Sequence, residues 1–264
     1  MTNQDAQGYL ALYIKSAKKM KLNSKTLKNV KIIITNGTSI QRNFKMKILQ
    51  VPATATIFDL FCQLDYLRVC FIDKQNRIFS GLAEDLTSDF EKGVCFNEAL
   101  TRLVARNLYS QATGKELTDE TEAAFRESQN ITLQFGAVLG LSDNGFCLLR
   151  EKINKGREEI RRLFNSLNSK LSYGAFEGKC DLLHFLNKSS KGPFGNTGRD
   201  ADELRKSIND ILMQTMELGF LNNKFNKKEL LKRFEDFNYY TPNLLKADMK
   251  NRITAFLENQ TNNV

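Results

Sequence analysis

The chain is 264 residues long and 41% hydrophobic, with three prolines and no tryptophan, which is material for a folded core and excludes disorder as the default state. Basic residues outnumber acidic ones 39 to 30, giving a net charge of +9 that favours anionic partners. No apolar run approaches the length of a membrane span, so the chain is expected to be soluble or at most peripheral.

The excess charge is not spread evenly. Residues 6–58 contain no Asp or Glu but hold ten basic side chains: Lys15, Lys18, Lys19, Lys21, Lys25, Lys28, Lys31, Arg42, Lys45 and Lys47. The other 29 basic residues face 30 acidic ones, so the whole excess sits in this stretch. The N-terminal MTNQDAQGYLALYIK has neither the charged n-region nor the cleavage pattern of a secretory signal, which points to a reducing, cytoplasmic setting. Cys62, Cys70, Cys95, Cys147 and Cys180 are scattered with no CxxC pair, so they read as core thiols rather than as a disulfide framework or a zinc ribbon.

In chain order, Leu10, Tyr13, Ile14, Ala17 and Met20 have helical spacing, with Lys15, Lys18, Lys19 and Lys21 on much of the other side. A basic amphipathic helix with its linker is therefore predicted over 1–28. Val30 to Thr35 is rich in β-branched residues, and Asn36-Gly37 is a strong hairpin dipeptide. Alternation after it places Ile40, Phe44, Met46 and Ile48 on a buried face and Lys45 and Lys47 on a basic one. Thr56 and Asp59 offer a capping box for a short helix, and two further strands are predicted around a Lys74-Gln75-Asn76 turn.

The stretch VKIIITNGTSIQRNFKMKILQVPATATIFDLFCQL, taken together with those two strands, runs strand, strand, helix, strand, strand and resembles the ubiquitin-like β-grasp across 29–85. The resemblance implies a small α+β region and carries over no functional residue, because that fold hosts adaptors, sulfur carriers and nucleic-acid binders alike.

A mainly helical region is expected over 93–188, including a long amphipathic helix marked by Ile153, Ile160, Phe164 and Leu167, with Lys155, Arg157, Arg161 and Arg162 on its outer face. Ser189 to Arg199 reads as a loop. Three helices after it, Asp202 to Leu218 ending at Gly219, Lys227 to Phe237 and Pro242 to Leu257, predict a C-terminal helical bundle over 200–258. The expected fold class is α+β, an N-terminal β-grasp-like region followed by a mainly helical second half.

Several motifs invite chemistry. Residues 132–151 fit a helix-turn-helix, with Gly136 and Gly140 at the small and turn positions and Leu141, Phe146 and Leu149 buried; alternation from Ile131 to Ala137 with Asn144-Gly145 fits a hairpin as well. Lys191, Gly192, Gly195, Gly198 and Arg199 resemble a phosphate loop, but Asp200, Asp202 and Glu203 at the next helix start would repel an anion. His184, the only histidine, lies one helical turn after Cys180, and two ligands do not make a metal site. Glu177-Gly178-Lys179 has the acidic-x-lysine spacing of metal-dependent nucleases, with Asp143 the nearest candidate for their upstream aspartate. No cofactor is called for.

The residues thus favour a non-enzymatic nucleic-acid-binding protein, for RNA or DNA, whose phosphate contacts are Lys15, Lys18, Lys19, Lys21, Lys31, Arg42, Lys45 and Lys47, joined by Lys155, Arg157, Arg161 and Arg162, with Tyr239 and Tyr240 for base stacking. The alternative is a matrix- or adaptor-like structural protein that holds an anionic membrane surface or an acidic partner through the same residues, with homo-oligomerisation open; a metal-dependent nuclease is the third class.

Overall fold

The computed structural model describes residues 1–83, 92–117, 119–152, 155–189, 197–241 and 243–261. They form an α+β fold in two compact units built from interleaved stretches: Met1–Arg126 with Cys147–Arg157, and Glu127–Phe146 with Glu158–Val264.

The first unit opens with α1 (Asn3–Lys19). Thr2 caps it by accepting from Asp5 N–H at 3.2 Å while the Asp5 carboxylate accepts from the Thr2 N–H at 3.0 Å. Its Ala6, Leu10, Tyr13 and Ala17 are buried together with Phe58, Leu60, Phe61 and Leu64 of α2 (Ile57–Arg68). The box predicted for α2 is present, with Asp59 N–H on Thr56 Oγ1 at 3.0 Å and Thr56 N–H on Asp59 Oδ2 at 2.9 Å.

Three strands precede α2: β1 (Lys31–Thr35), β2 (Gln41–Asn43) and β3 (Ile48–Pro52), in the order β1-β3-β2. The expected hairpin at Asn36-Gly37 does not form. Instead β1 runs parallel to β3, and the hairpin joins β2 to β3 through a turn over Phe44 to Lys47. The reason lies in burial: β3 carries Leu49, Val51 and Pro52, all buried, and takes the centre, whereas every residue of β2 is exposed and suits an edge. Asn43 closes the turn by accepting from Met46 N–H at 3.0 Å, and Lys47 ends it at φ 54°. Met46, expected inside, is 66% exposed at the tip. After α2, β4 (Cys70–Ile72) and β5 (Ile78–Ser80) pair only with each other among the named strands, so the chain shares an element order with the ubiquitin-like pattern, with one more strand, while its pairing is its own. Next comes α3 (Val94–Thr113), whose Val104, Ala105 and Leu108 complete this core.

The 132–151 ambiguity resolves into helices. α4 (Asp119–Leu139) ends at Gly140, φ 72°, and α5 (Asp143–Glu151) begins after two more residues. Gly136 is small for cause, since a Cβ there would stand 3.1 Å from the Phe146 ring. In the second unit Phe135 sits among the rings of Phe146, Phe164, Tyr173 and Phe176, with centroids 4.9 to 6.3 Å apart. These come from α5, α6 (Lys155–Leu167) and α7 (Tyr173–Ser189). Gln134, also buried, donates to Asn209 Oδ1 and Thr241 Oγ1 at 3.0 Å each.

The C-terminal helices are α8 (Thr197–Leu221), α9 (Lys227–Tyr239) and α10 (Asn243–Thr261). Arg252 of α10 ties back to Glu217 and Asp210 of α8. α8 does not stop at Gly219: the residue is helical and is small because a Cβ would meet the Phe225 ring at 2.6 Å, and the left-handed residue is Asn223 at φ 55°. No helix among the described residues is long and apolar enough to cross a membrane.

Candidate functional site

All ten basic residues of 6–58 are exposed, and all belong to the first unit. The sheet brings several together. Lys31 N–H donates to Lys47 C=O at 2.9 Å where β1 starts beside the end of the turn; Arg42, registered opposite Leu49, leaves the sheet on the face of Leu49 and Ile32, and Lys31, opposite Ile48, on the other. Lys45 lies in the same turn. Arg42 is steadied by Gln63 Oε1, which accepts from its Nε at 2.5 Å, and its guanidinium stands 4.3 Å from the Tyr66 ring centroid.

Among the described residues none of the ten forms an ion pair, a property they share with Lys74, Lys115, Lys170 and Arg162, whereas Arg68, Arg77, Arg150, Arg161, Arg205, Arg233 and Arg252 are matched to carboxylates. Two of the ten also occupy left-handed backbone, Lys21 at φ 59° and Lys47 at φ 54°, where glycine is the less strained choice. At the end of α1, Lys18 and Lys19 lie in the last turn, where their charge also favours the helix dipole. The apolar side of α1 is buried in the core, so it offers no membrane-inserting face.

On α6 the expected set divides. Lys155 and Arg162 are exposed, and Arg161 is half-buried with an ion pair to Glu158 at 3.3 Å. Arg157 is buried and cannot meet a phosphate from solvent. It stands three and seven residues before Ile160 and Phe164, on the stripe that packs inward. Lys155 and Arg157 belong to the first unit, Arg161 and Arg162 to the second.

The other constellations fare differently. α4 and α5 have the helix-turn-helix form, but the exposed residues of α5 are Asp143, Asn144 and Leu148, and its arginine, Arg150, is buried, which suits no phosphate. Glu177 is buried and accepts from the Tyr173 hydroxyl at 2.9 Å, while Asp143 faces the Tyr240 hydroxyl at 3.2 Å. Burial and that carboxylate push the Tyr240 phenol up to about 12. Tyr239 is exposed and Tyr240 half-buried. Among the described residues no three His, Cys, Asp or Glu side chains gather as a metal site. Residues 190–196 of the glycine-rich stretch, with Lys191, Gly192 and Gly195, lie outside the described residues, and Gly198 and Arg199 fall in the first turn of α8. A cleft of about 500 Å³ beside α1 is lined by Asp5, Tyr9, Tyr109 and Glu116, whose carboxylates carry the wrong sign for an anion.

The sequence reading missed a buried ionic cluster. Asp65 and Arg68 of α2 and Arg150 of α5 have fully buried side chains. The Asp65 carboxylate accepts from the Tyr13 hydroxyl at 2.7 Å, Arg68 Nε at 2.9 Å and Arg150 Nη1 at 2.6 Å. Arg68 also forks onto Glu151, with both contacts at 2.5 Å, and Arg150 reaches Asn97 Oδ1 and Thr101 Oγ1. Burial by itself would raise the Asp65 carboxyl, but the Arg150 and Arg68 charges and the hydrogen bonds outweigh it and hold the group below the usual carboxylate range. Two carboxylates balance two guanidiniums, so this cluster fastens the unit and leaves no charge for a ligand. Its signal was present in LDYLRV, where opposite charges three apart interrupt an apolar run.

Comparison with protein-family models, with curated proteins and with solved structures finds no match.

Proposed function

We propose that the chain is a non-enzymatic nucleic-acid-binding protein, with the basic surface of its first unit as the phosphate-holding site. The observation that supports this most is the concentration of charge: ten exposed cations lie over 15–47, in a stretch with no Asp or Glu, and none has an ion pair among the described residues. Unpaired exposed cations on a folded scaffold raise the local potential and release counterions when they meet phosphates. Lys45 and Lys47 of the turn, with Lys31 beside them, form the centre of the site, and Arg42 adds charge from the other face of the sheet. Lys15, Lys18, Lys19 and Lys21 extend it, and Lys155, also of the first unit, is a peripheral contributor.

The test is a salt titration of binding to a labelled oligonucleotide of mixed sequence. Affinity should fall linearly on a log–log plot, with a slope of about −0.7 per phosphate neutralised for a single strand. The double variant Lys31→Glu/Lys47→Glu should weaken binding at least tenfold at low salt and flatten the slope by about 1.4. Arg162→Glu, the same charge change on α6, should move affinity much less. Undetectable binding at low salt, or affinity untouched by the double reversal, would remove the proposal.

A further inference from the structure

A second feature adjoins the basic turn: a pocket of about 150 Å³ whose lining includes Val30, Phe44, Lys47, Cys70, Phe71 and Ile72. It opens to solvent, since Lys47 and Ile72 are exposed and Phe44, Cys70 and Phe71 half-buried. A volume of roughly 150 Å³ accepts one benzene-sized ring and is far too small for a base pair. Two of its walls are aromatic and each belongs to a cation-aromatic pair or chain. Phe44 lies 6.4 Å from Tyr66, over which Arg42 stands at 4.3 Å; Phe71 stacks on Phe79 at 4.8 Å, with Arg77 5.4 Å from the Phe79 ring. Lys47 at the mouth is adjacent through the backbone to Lys31 and Lys45.

Apolar and aromatic walls with Lys47 among them fit a ligand that is planar and uncharged at one end and anionic at the other. We infer that this pocket receives one unpaired base of a single-stranded nucleic acid, pyrimidines fitting best, while the neighbouring phosphates lie on Lys31, Lys45, Lys47 and Arg42. The inference rests on the basic-surface proposal and narrows it. In a duplex the bases are stacked and paired, so only the charge contacts remain; in a single strand a base can leave the stack and settle against an aromatic face. The surface is then selective for single strands and tolerant of sequence beyond the seated base.

The experiment compares, for the full chain at fixed low salt, anisotropy binding of a labelled oligothymidylate of about 15 nucleotides and a duplex of equal length. Single-strand affinity should exceed duplex affinity about tenfold. Phe44→Leu, which keeps apolar volume and removes the π-face, should cut single-strand affinity about fivefold or more and leave duplex affinity and the salt slope unchanged. Photocrosslinking the unmutated chain to an oligonucleotide carrying 5-iodouracil should place the adduct on Phe44 or Phe71, a readout independent of how the variant folds. Salt-sensitive binding that is equal for the two nucleic acids, or adducts confined to other residues, would overturn the pocket and leave the basic surface standing. No binding of either at low salt would overturn both.

Discussion

Replacing Asp65 by Asn tests the fastening of the first unit. The carboxylate accepts three bonds, from Tyr13, Arg68 and Arg150, at 2.6 to 2.9 Å, and its side chain is wholly buried. Asn keeps the shape but removes the charge and turns an N–H₂ toward donors. Arg68 and Arg150 are then left with one carboxylate, Glu151, between them. Two lost charge-assisted bonds at about 1.5–3 kcal/mol each agree with the 3–5 kcal/mol typical of a broken buried pair, so a loss of about 4 kcal/mol is expected. With two compact units a single unfolding transition is not assumed, and the readout must be local. Hydrogen exchange followed by mass spectrometry supplies it: protection of α2 amides should fall by that amount at pH 7, while α9 in the second unit keeps its own. The pH dependence has a definite sign. The folded-state carboxyl sits below its unfolded value, so its contribution is complete above about pH 4 and is lost as pH falls through the depressed folded value. The gap between parent and variant should hold from neutral pH to about pH 5 and narrow only in stronger acid. A loss below about 1 kcal/mol, or a gap that widens on acidification, would show that Asp65 does not carry the cluster.

Gly81→Ala should cost at least about 2 kcal/mol in thermal unfolding, because the residue sits at φ 55° and its Cβ would meet Asn97 Oδ1 at 2.3 Å and Arg150 Cγ at 2.8 Å. Two helical glycines should respond with opposite signs: Gly8→Ala, with nothing within 4 Å, gains up to about 1 kcal/mol from helix propensity, whereas Gly219→Ala loses more than that to the Phe225 ring at 2.6 Å. Lys47→Gly should relieve left-handed strain and raise stability by up to about 1 kcal/mol in denaturant, yet weaken oligonucleotide binding several-fold. A fall in both would assign Lys47 a packing role instead.

Much of this architecture was legible in single residues. Thr56 and Asp59 announced the start of α2 because capping is decided within four positions. Pairing between strands was not local, so Asn36-Gly37 was overruled by the burial demands of Leu49 and Val51, each paired with a residue seventeen positions earlier in the ladder. Arg157 shows a different failure, since its spacing to Ile160 and Phe164 already placed it inward and only its charge suggested solvent. The aromatic pocket joins residues from four separate stretches, from Val30 to Ile72, and no local pattern marks it. Likewise Asp65 and Arg68 marked half of an ionic cluster, but nothing near them named Arg150 as the other half.

That last separation bears on the order in which the protein can be made. Asp65 and Arg150 are 85 residues apart, and the first unit takes back residues 147–157 only after part of the second has been translated. At typical rates of about 5–20 residues per second, the Asp65 carboxylate waits roughly 4–17 seconds on the ribosome for its partner. During that interval α2 holds Asp65 and Arg68 against each other without Arg150 or Glu151, so the N-terminal core is not fully fastened until the chain has passed residue 151. A nascent chain stalled before Arg150 has emerged should therefore remain open to protease at α2, and one stalled well beyond it should resist.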